Sequence, residues 1–346
     1  MQPTKIPARK KQPSKRKHQR LIRWFAWIGL IVLVAVVGLL LDFFLYPRYA
    51  LPTGPSRNQG ENGLWLRYTW YFGRYTPQNE QAMVQRLQSA GVRYAYFHVL
   101  SVDGTGVLKY HKKDTADKLT SYMHKASPRT KLYAWVYAGN REGLGQVDLT
   151  NPQTRRNMTK EAVWLTKDCG FDGVQWDYES CDSNDAGFVQ LLRATRAAIG
   201  SKKLISVASP LRMPDAVSGR LGWSDAYFEK ISKLCNQICV MGYDSGMVTP
   251  RSYVALMRME TICVTADVNR GNPKCRVLMG IPSYGDGTRS HNPYSENIRF
   301  ALTGVRNGAA NKAARPGVLA GVAVFADYTT NYGEWLQYQA LWPRKA

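Results

Sequence analysis

The sequence predicts an α/β fold, a (β/α)8 TIM barrel preceded by a single N-terminal transmembrane helix. From Gly63 onward, a β-branched or aromatic run, a turn and a longer helical stretch alternate eight times. Strict alternation of this kind indicates a parallel sheet, and eight units in about 280 residues match the size of a closed barrel. An apolar run near the N-terminus predicts the membrane helix. A doubly wound open sheet is the alternative, but no glycine-rich phosphate-binding loop follows the first strand.

The eight repeats define the predicted elements in order. The predicted strands are 64–70, 92–99, 131–137, 171–177, 203–208, 236–242, 275–281 and 318–325. The predicted helices are 78–89, 114–125, 152–167, 185–198, 224–234, 250–266, 294–312 and 332–341. Thr76-Pro77 and Asn151-Pro152 are helix start signals, because proline suits the first turn of a helix. Catalytic groups of such a barrel are expected at the carboxyl ends of the strands.

Composition and charge restrict the class of protein. With 45% hydrophobic and 21% charged residues, the chain has a globular composition, which excludes wholesale disorder. It carries 47 Lys and Arg against 25 Asp and Glu, a net charge of +22. Residues 1–23 hold nine of the basic residues and no acidic one, so they form a basic head. The rest of the chain keeps an excess of 13 positive charges, which favours an anionic neighbour such as an acidic envelope polymer.

Residues 24–46 are predicted to form a transmembrane signal-anchor helix. The 18 residues from Trp24 to Leu41 carry no charge, and with the apolar residues that follow they are long enough to cross a bilayer. Basic residues on one side only predict a cytoplasmic N-terminus, in contact with anionic lipid, and an extracytoplasmic barrel. The alternatives are a cleaved signal peptide, although no small-residue cleavage site follows the run, and a buried core helix.

The remaining chain divides into a linker and the barrel. Residues 47–61 are rich in Pro, Gly and polar residues and are predicted to be a short linker, followed by the barrel domain at 62–346. A nucleic-acid partner is not expected, because the basic head is short and lacks interleaved aromatic residues. The sequence leaves the oligomeric state open.

Six cysteines lie in the predicted exported part, where disulfides are permitted. They are Cys169, Cys181, Cys235, Cys239, Cys263 and Cys275. Cys169, Cys235 and Cys275 precede strands and are expected near one rim, so a bridge between two of them and buried free thiols both remain open. No CxxC pair occurs and no His stands at ligand spacing to the cysteines. Neither a metal site nor another cofactor is therefore predicted.

The fourth strand ends with the strongest candidate for chemistry. Side chains two residues apart share one face of a strand, so Gln175, Asp177 and Glu179 are expected to point together into the barrel mouth. An ionised Asp beside a Glu in a partly closed pocket raises the pKa of the Glu, as a general acid near neutral pH requires. Salt-bridged or solvated carboxylates at the rim are the alternative interpretation.

This segment, DGVQWDYE at 172–179, resembles the DGxDxDxE signature of family 18 glycoside hydrolases, the chitinase-like barrels. Three later segments agree in order and strand number. MGYD at 241–244 resembles the family's MxYD, GIPSYG at 280–285 its GxPxYG, and GVAVF at 321–325 its GVMxW. The resemblance covers roughly residues 63–342 in topology and is most specific in the second half.

The resemblance implies a retaining mechanism in which the substrate's own 2-acetamido group is the nucleophile. Glu179 would be the general acid and then the general base, Asp177 would bind the acetamido N–H, and Tyr243 would donate to the acetamido oxygen. Asp244 and Tyr284 would bind the substrate. The implied substrate is a glycan that contains N-acetylhexosamine, such as peptidoglycan, a chitin-like polymer or an exopolysaccharide.

Two residues depart from the family pattern. Gln175 replaces the middle Asp of the signature. It is predicted to be a substrate-binding residue whose amide donates to Asp177 and keeps that carboxylate ionised. Phe325 replaces the Trp beneath the sugar and keeps a smaller apolar platform. Further aromatic residues near strand ends suit a sugar cleft, and of these Trp70 and Trp135 are predicted to bind substrate, whereas Trp176 lies on the opposite face of its strand.

Two other functions remain open. A non-catalytic glycan-binding or scaffold barrel at the cell surface is favoured by Gln175 and Phe325. A two-carboxylate hydrolase of another barrel family would need a second acid on a different strand, and strand seven offers only Asp286, beyond its end.

Overall fold

The computed structural model describes residues 15–140, 146–214 and 222–344. Its eight strands form a closed parallel barrel in chain order, β1 to β8, which confirms the predicted fold class. The strands are β1 Asn62–Leu66, β2 Val92–Ser101, β3 Lys131–Gly139, β4 Gly173–Glu179, β5 Leu204–Ser209, β6 Gln237–Val240, β7 Arg276–Pro282 and β8 Leu319–Phe325. Pairing of Gly63 with Ala323 closes the barrel between β1 and β8.

Helices follow the strands and form the outer layer. Those of the barrel domain are α2 Pro77–Ser89, α3 Lys113–Ala126, α4 Pro152–Val163, α5 Ala186–Ile199, α6 Asp225–Ser232, α7 Pro250–Gly271, α8 Ile298–Ala309 and α9 Tyr332–Leu341. A π-helical turn at Trp164–Asp168 extends α4. The two predicted start signals are confirmed, because Thr76 and Asn151 accept hydrogen bonds from the first backbone N–H groups of α2 and α4.

The first strand is shorter than predicted. β1 ends at Leu66 instead of residue 70, because the chain turns immediately afterwards: the backbone N–H of Trp70 donates to the carbonyl of Arg67 at 3.2 Å. Aromatic residues favour strands as a class. Those between residues 67 and 70 therefore led to a predicted strand that includes the turn. The turn carries Arg67 and Trp70 along the barrel mouth.

Large aromatic side chains fill the interior of the barrel. Trp65, Tyr96 and Tyr133 are each at most 1% exposed and contact one another at ring distances of 5.2–5.5 Å. Their area makes a large apolar contribution to stability. On the other face of β4, the indole of Trp176 donates to the hydroxyl of Thr195 on α5 at 3.3 Å. The alternation predicted for this strand is therefore confirmed.

Most of the segment predicted as a linker is packed against the barrel. Residues 47–49 end the first helix, and hydrogen bonds tie part of 50–61 to the end of the chain. The amide of Asn58 donates to the carbonyl of Trp342 at 2.7 Å, and the hydroxyl of Ser56 donates to the carbonyl of Pro343 at 2.7 Å. Polar residues of the predicted linker supply these hydrogen bonds.

The N-terminal helix α1 spans Lys15–Tyr49 and contains the predicted 24–46 segment. Its stretch His18–Tyr49 contains an 18-residue window with a mean hydropathy of 2.9 and is long and apolar enough to cross a membrane, a property that an N-terminal signal sequence shares. Residues 1–14 of the predicted basic head lie outside the described residues.

All six cysteines are thiols in this structure. The sulfur atoms of Cys235 and Cys275 lie 3.8 Å apart; Cys235 is two residues before β6 and Cys275 is one residue before β7. The expectation that these two lie at one rim of the barrel is confirmed.

Candidate active site

The end of β4 places two carboxyl groups at the barrel mouth. In the register with β3, Asp177 lies opposite Tyr137, and Glu179 lies opposite Gly139, which has no side chain to cover it. Asp177 is only 4% exposed, whereas Glu179 is half-buried. Glu179 lines a cavity of about 250 Å³ together with Tyr178, Ser180, Cys181, Pro210, Leu211, Met241, Tyr243 and Asp244.

Trp135 on β3 orients Asp177. Its indole N–H donates to Oδ2 of Asp177 at 2.8 Å, and His98 stacks on the indole at 3.9 Å between ring centroids. The other carboxyl oxygen of Asp177, Oδ1, is buried without a hydrogen-bond partner among the described residues. Leaving such a group unpaired costs about 1–3 kcal/mol, and such exceptions are typical of functional sites.

Trp135 was predicted to bind substrate directly, and the structure gives it a different position. It is 6% exposed and its one N–H is used by Asp177. It therefore holds a carboxylate in place and offers almost no ring surface to a sugar. His98 stacks on the indole of Trp135. Burial lowers the pKa of His98 to about 4, so the imidazole is neutral.

Both carboxyl groups of β4 hold protons more tightly than usual. Burial raises the pKa of Asp177 well above its ordinary range, and the negative charge of Glu179 adds to the rise. Burial also raises the pKa of Glu179, an effect opposed by Asp177 and increased by the charge of Asp244. Two carboxyls this close take up and release protons as a pair.

Gln175 does not occupy the predicted substrate-binding position. It is fully buried, its carbonyl accepts from the indole of Trp65 at 2.8 Å, and its amide donates to the hydroxyl of Ser206 at 3.1 Å. The expected hydrogen bond from Gln175 to Asp177 is therefore wrong. Gln175 precedes Asp177 by two residues on β4 and therefore lies one layer deeper in the barrel. There, side chains of β1 and β5 form hydrogen bonds with the carbonyl and the NH2 group of its amide.

Aromatic rings form the floor beside the carboxyls. Tyr243 stacks on Phe325 with 4.8 Å between ring centroids, and Trp65 meets both rings edge-on. Phe325 is half-buried at the end of β8. Burial raises the pKa of Tyr243 well above its ordinary range, so its hydroxyl keeps its proton and can act as a donor at neutral pH.

Asp244 and Tyr284 come together on the opposite side of the cavity from β3. The hydroxyl of Tyr284 donates to Asp244 Oδ1 at 2.7 Å. Beneath this pair, the buried imidazole of His291 stacks on Tyr284 at 4.0 Å and contacts the buried carboxyl of Glu296 at 3.3 Å. His291 and Glu296 were not predicted. They follow β7 in a long loop with no periodicity, and no spacing in the sequence singles them out.

Trp70 lies apart from these groups. It is 8% exposed, packs against Tyr75 with 4.8 Å between ring centroids, and lines a second cavity beside β1 and β8. The structure therefore does not bring Trp70 to the carboxyls of β4. Among the described residues, no three His, Cys, Asp or Glu side chains are grouped to hold a metal ion.

Known proteins resemble this chain in sequence and in fold. The family model of glycosyl hydrolases family 18 matches residues 67–341. Endochitinase 1 of Metarhizium robertsii is 27% identical over 180 residues, covering 45% of this chain and 40% of the fungal protein. The chain thus spans less than half the length of this curated relative.

Solved structures share the fold at low identity. The spore cortex-lytic enzyme SleL of Bacillus cereus superposes with a TM-score of 0.58 at 12% identity, over 85% of this chain and 76% of that chain. A plant class V chitinase mutant from Cycas revoluta, in complex with (GlcNAc)3, superposes with a TM-score of 0.57 at 12% identity, over 81% of this chain and 99% of that chain. At such identities, the likeness shows the barrel fold alone.

Proposed function

The chain belongs to glycosyl hydrolases family 18, and on this premise we propose that it is a glycosidase that cleaves a glycan containing N-acetylhexosamine. The observation that carries the proposal is the carboxyl pair at the end of β4. Asp177 is buried with one oxygen unpaired, and Glu179 lines the adjoining cavity. The chitinase names of the fungal and plant relatives support an N-acetyl sugar in the substrate.

In the proposed reaction, Glu179 protonates the glycosidic oxygen while the substrate's acetamido carbonyl attacks the anomeric carbon. The unpaired oxygen of Asp177 accepts the acetamido N–H and offsets the positive charge that develops on the resulting ring. The hydroxyl of Tyr243 donates to the acetamido oxygen, and Asp244 binds a sugar hydroxyl. Glu179 then removes a proton from the water that opens the ring. Intramolecular attack avoids the entropy cost of a second nucleophile.

Product analysis tests this proposal directly. The full chain in detergent would be incubated with N-acetylglucosamine oligomers, their deacetylated counterparts and purified peptidoglycan, and the products read by mass spectrometry. We expect cleavage of an acetylated substrate with retention of the anomeric configuration. Equal cleavage of the deacetylated oligomers would contradict the role given to the acetamido group.

A non-catalytic glycan-binding barrel is the second candidate. The neutral Gln175 beneath Asp177 favours it, because a neighbouring Asp can share a proton with the catalytic carboxyl and an amide cannot. Calorimetry separates the two functions. Heat of binding for an oligosaccharide, with no turnover by the unmodified protein, would support binding alone.

We also propose that α1 anchors the barrel at the cell membrane, with the basic head in the cytoplasm against anionic lipid and the barrel outside. The length and apolar composition of His18–Tyr49 support this location. Protease treatment of intact cells tests it, because an exported barrel is digested whereas a cytoplasmic barrel is protected.

Replacing Tyr243 with Phe is expected to lower kcat/KM by about a hundredfold, because the substrate's acetamido oxygen loses a hydrogen-bond donor in the transition state. The melting temperature should change little, since the ring and its stacking on Phe325 are kept. Steady-state kinetics and thermal denaturation on the same preparations measure both effects. A matched loss of activity and of melting temperature would show that the hydroxyl acts only in packing.

The pH profile is expected to follow the raised pKa of Glu179. Because burial raises this pKa above the ordinary value of 4.5, Glu179 stays protonated, and the acid step stays active, at pH values where a solvated Glu is ionised. Activity should therefore fall only as the pH rises through the raised pKa. A profile of kcat/KM from pH 4 to 9 measures this limb. A decline already complete near pH 5 would contradict it.

A further inference from the structure

A second cavity, of about 340 Å³, opens at the same end of the barrel as Glu179. Arg67 directly follows β1 and Tyr328 lies just beyond β8, and the carboxyl ends of parallel strands share one face of the barrel. The side chains relevant here are Arg67, Arg74, Arg86, Trp70, Tyr75 and Tyr328. We call this cavity the arginine pocket.

The arginine pocket holds more positive than negative charge. It has three arginines and one carboxyl, that of Asp327. Arg86 forms an ion pair with Asp327, which accounts for this carboxyl. Arg67 and Arg74 are exposed and have no acidic partner among the described residues. The positive charges of Arg67 and Arg74 are therefore not compensated by the described residues, and this concave site favours an anionic ligand.

Aromatic faces hold these two guanidinium groups. Arg67 lies over the ring of Tyr328 at 5.4 Å, and Arg74 lies over the ring of Phe72 at 5.4 Å. Stacking of this kind restricts a guanidinium without using its N–H donors. The donors therefore remain free to bind a planar anion through two parallel hydrogen bonds, the geometry that suits a carboxylate.

The catalytic cavity has the opposite character. Its lining includes the carboxyls of Glu179 and Asp244 and, among the described residues, no basic side chain. An anionic sugar is therefore disfavoured at Glu179 and favoured on the β1 and β8 side of the mouth. Exposed Tyr328 and half-buried Tyr75 supply apolar surface beside the arginines for a sugar ring.

We propose that the arginine pocket binds a carboxylate-bearing sugar in the same glycan whose N-acetylhexosamine occupies the catalytic cavity. This inference rests on the proposed function and narrows its substrate to acidic glycans. The carboxylate can belong to a uronic acid or to an ether-linked lactyl group, as in muramic acid. The recognising chemistry, two guanidinium groups beside aromatic rings, is the same for both sources.

Binding to the cleavage-deficient Glu179→Gln full chain in detergent tests this proposal without requiring turnover. The probes are a tetrasaccharide of alternating N-acetylglucosamine and N-acetylmuramic acid, a tetrasaccharide of alternating N-acetylglucosamine and glucuronic acid, and the carboxyl-reduced form of each. We expect at least one acidic probe to bind about tenfold more tightly than its reduced form, as charge-assisted hydrogen bonds predict. Which acidic probe shows the difference identifies the source of the carboxylate.

Adding Arg67→Ala and Arg74→Ala should remove this difference between acidic and reduced probes. The matched control, Arg193→Ala with Arg258→Ala on the outer helices α5 and α7, removes the same net charge and should retain it. Equal affinity of both forms for the Glu179→Gln protein would overturn the proposal, and so would a difference that persists without Arg67 and Arg74. Absence of cleavage by the unmodified protein would instead count against the proposed function, so the two failures are distinguishable.

Discussion

Replacing Glu179 with Gln is expected to lower glycan cleavage by at least about a thousandfold, because one side chain serves as general acid and then as general base. The amide keeps the size of the side chain, but its N–H groups are too weakly acidic to transfer a proton to the glycosidic oxygen. The side chain is half-buried on the cavity wall, so folding should be unaffected. Release of oligosaccharide from N-acetylglucosamine oligomers or peptidoglycan, followed by mass spectrometry, measures the change.

Glu80→Gln is the matched control for this variant. Glu80 lies in the first turn of α2, outside the barrel, so the same chemical change should leave cleavage unaltered. Undiminished cleavage by the Glu179→Gln protein would remove Glu179 from the mechanism and, with it, the central argument for the proposed function.

Replacing Asp177 with Asn is expected to lower kcat/KM by about a hundredfold or more. If the Asn carbonyl keeps the hydrogen bond to the indole of Trp135, its NH2 group takes the place of the unpaired oxygen and faces the substrate N–H with a second donor. The charge that offsets the developing positive ring is lost as well. Kinetics on an acetylated oligomer of fixed length measure both losses together.

Stability should move in the opposite direction from activity in this variant. Because burial raises the pKa of Asp177, ionising it costs the folded state free energy as the pH rises through the raised pKa. Asn never ionises, so the melting temperature of Asp177→Asn should equal or exceed that of the parent at neutral and alkaline pH. A variant that loses melting temperature in step with activity would indicate a structural role for Asp177 instead.

The barrel and the position of the carboxyl pair of β4 could be predicted because both follow from local periodicity. Eight strand–helix units specify a closed parallel sheet. The two-residue repeat of β4 sends Asp177 and Glu179 to one face and Trp176 to the other. Both patterns involve residues that are neighbours in the sequence, so they can be recognised without knowledge of the tertiary structure.

The partners of the predicted residues could not be predicted in the same way. Gln175 is bound by Trp65 on β1 and by Ser206 on β5, which are 110 and 31 residues away along the chain. Closure of the barrel determines which side chains of distant strands come into contact. No motif in the sequence identifies these contacts. Trp135 lies in the middle of β3, and its role depends on the indole reaching Asp177 across the β3–β4 register.

The arginine pocket escaped prediction for a local reason. Aromatic residues after Leu66 favoured extending the first strand to residue 70, whereas the chain turns there. An extended strand would have separated Arg67 from the groups beyond β8. The turn brings it over Tyr328.

The hydrogen-bonded side chains in the layer beneath Asp177 do not titrate with the site. Gln175 leads through Ser206 and Gln237 to the hydroxyl of Tyr96, which contacts the thiol of Cys239. Burial raises the pKa of Cys239 to about 12 and that of Tyr96 well above its ordinary range, so this chain of groups neither gains nor loses a proton between pH 4 and 9. In the proposed reaction, this layer is therefore neither a source nor an acceptor of protons.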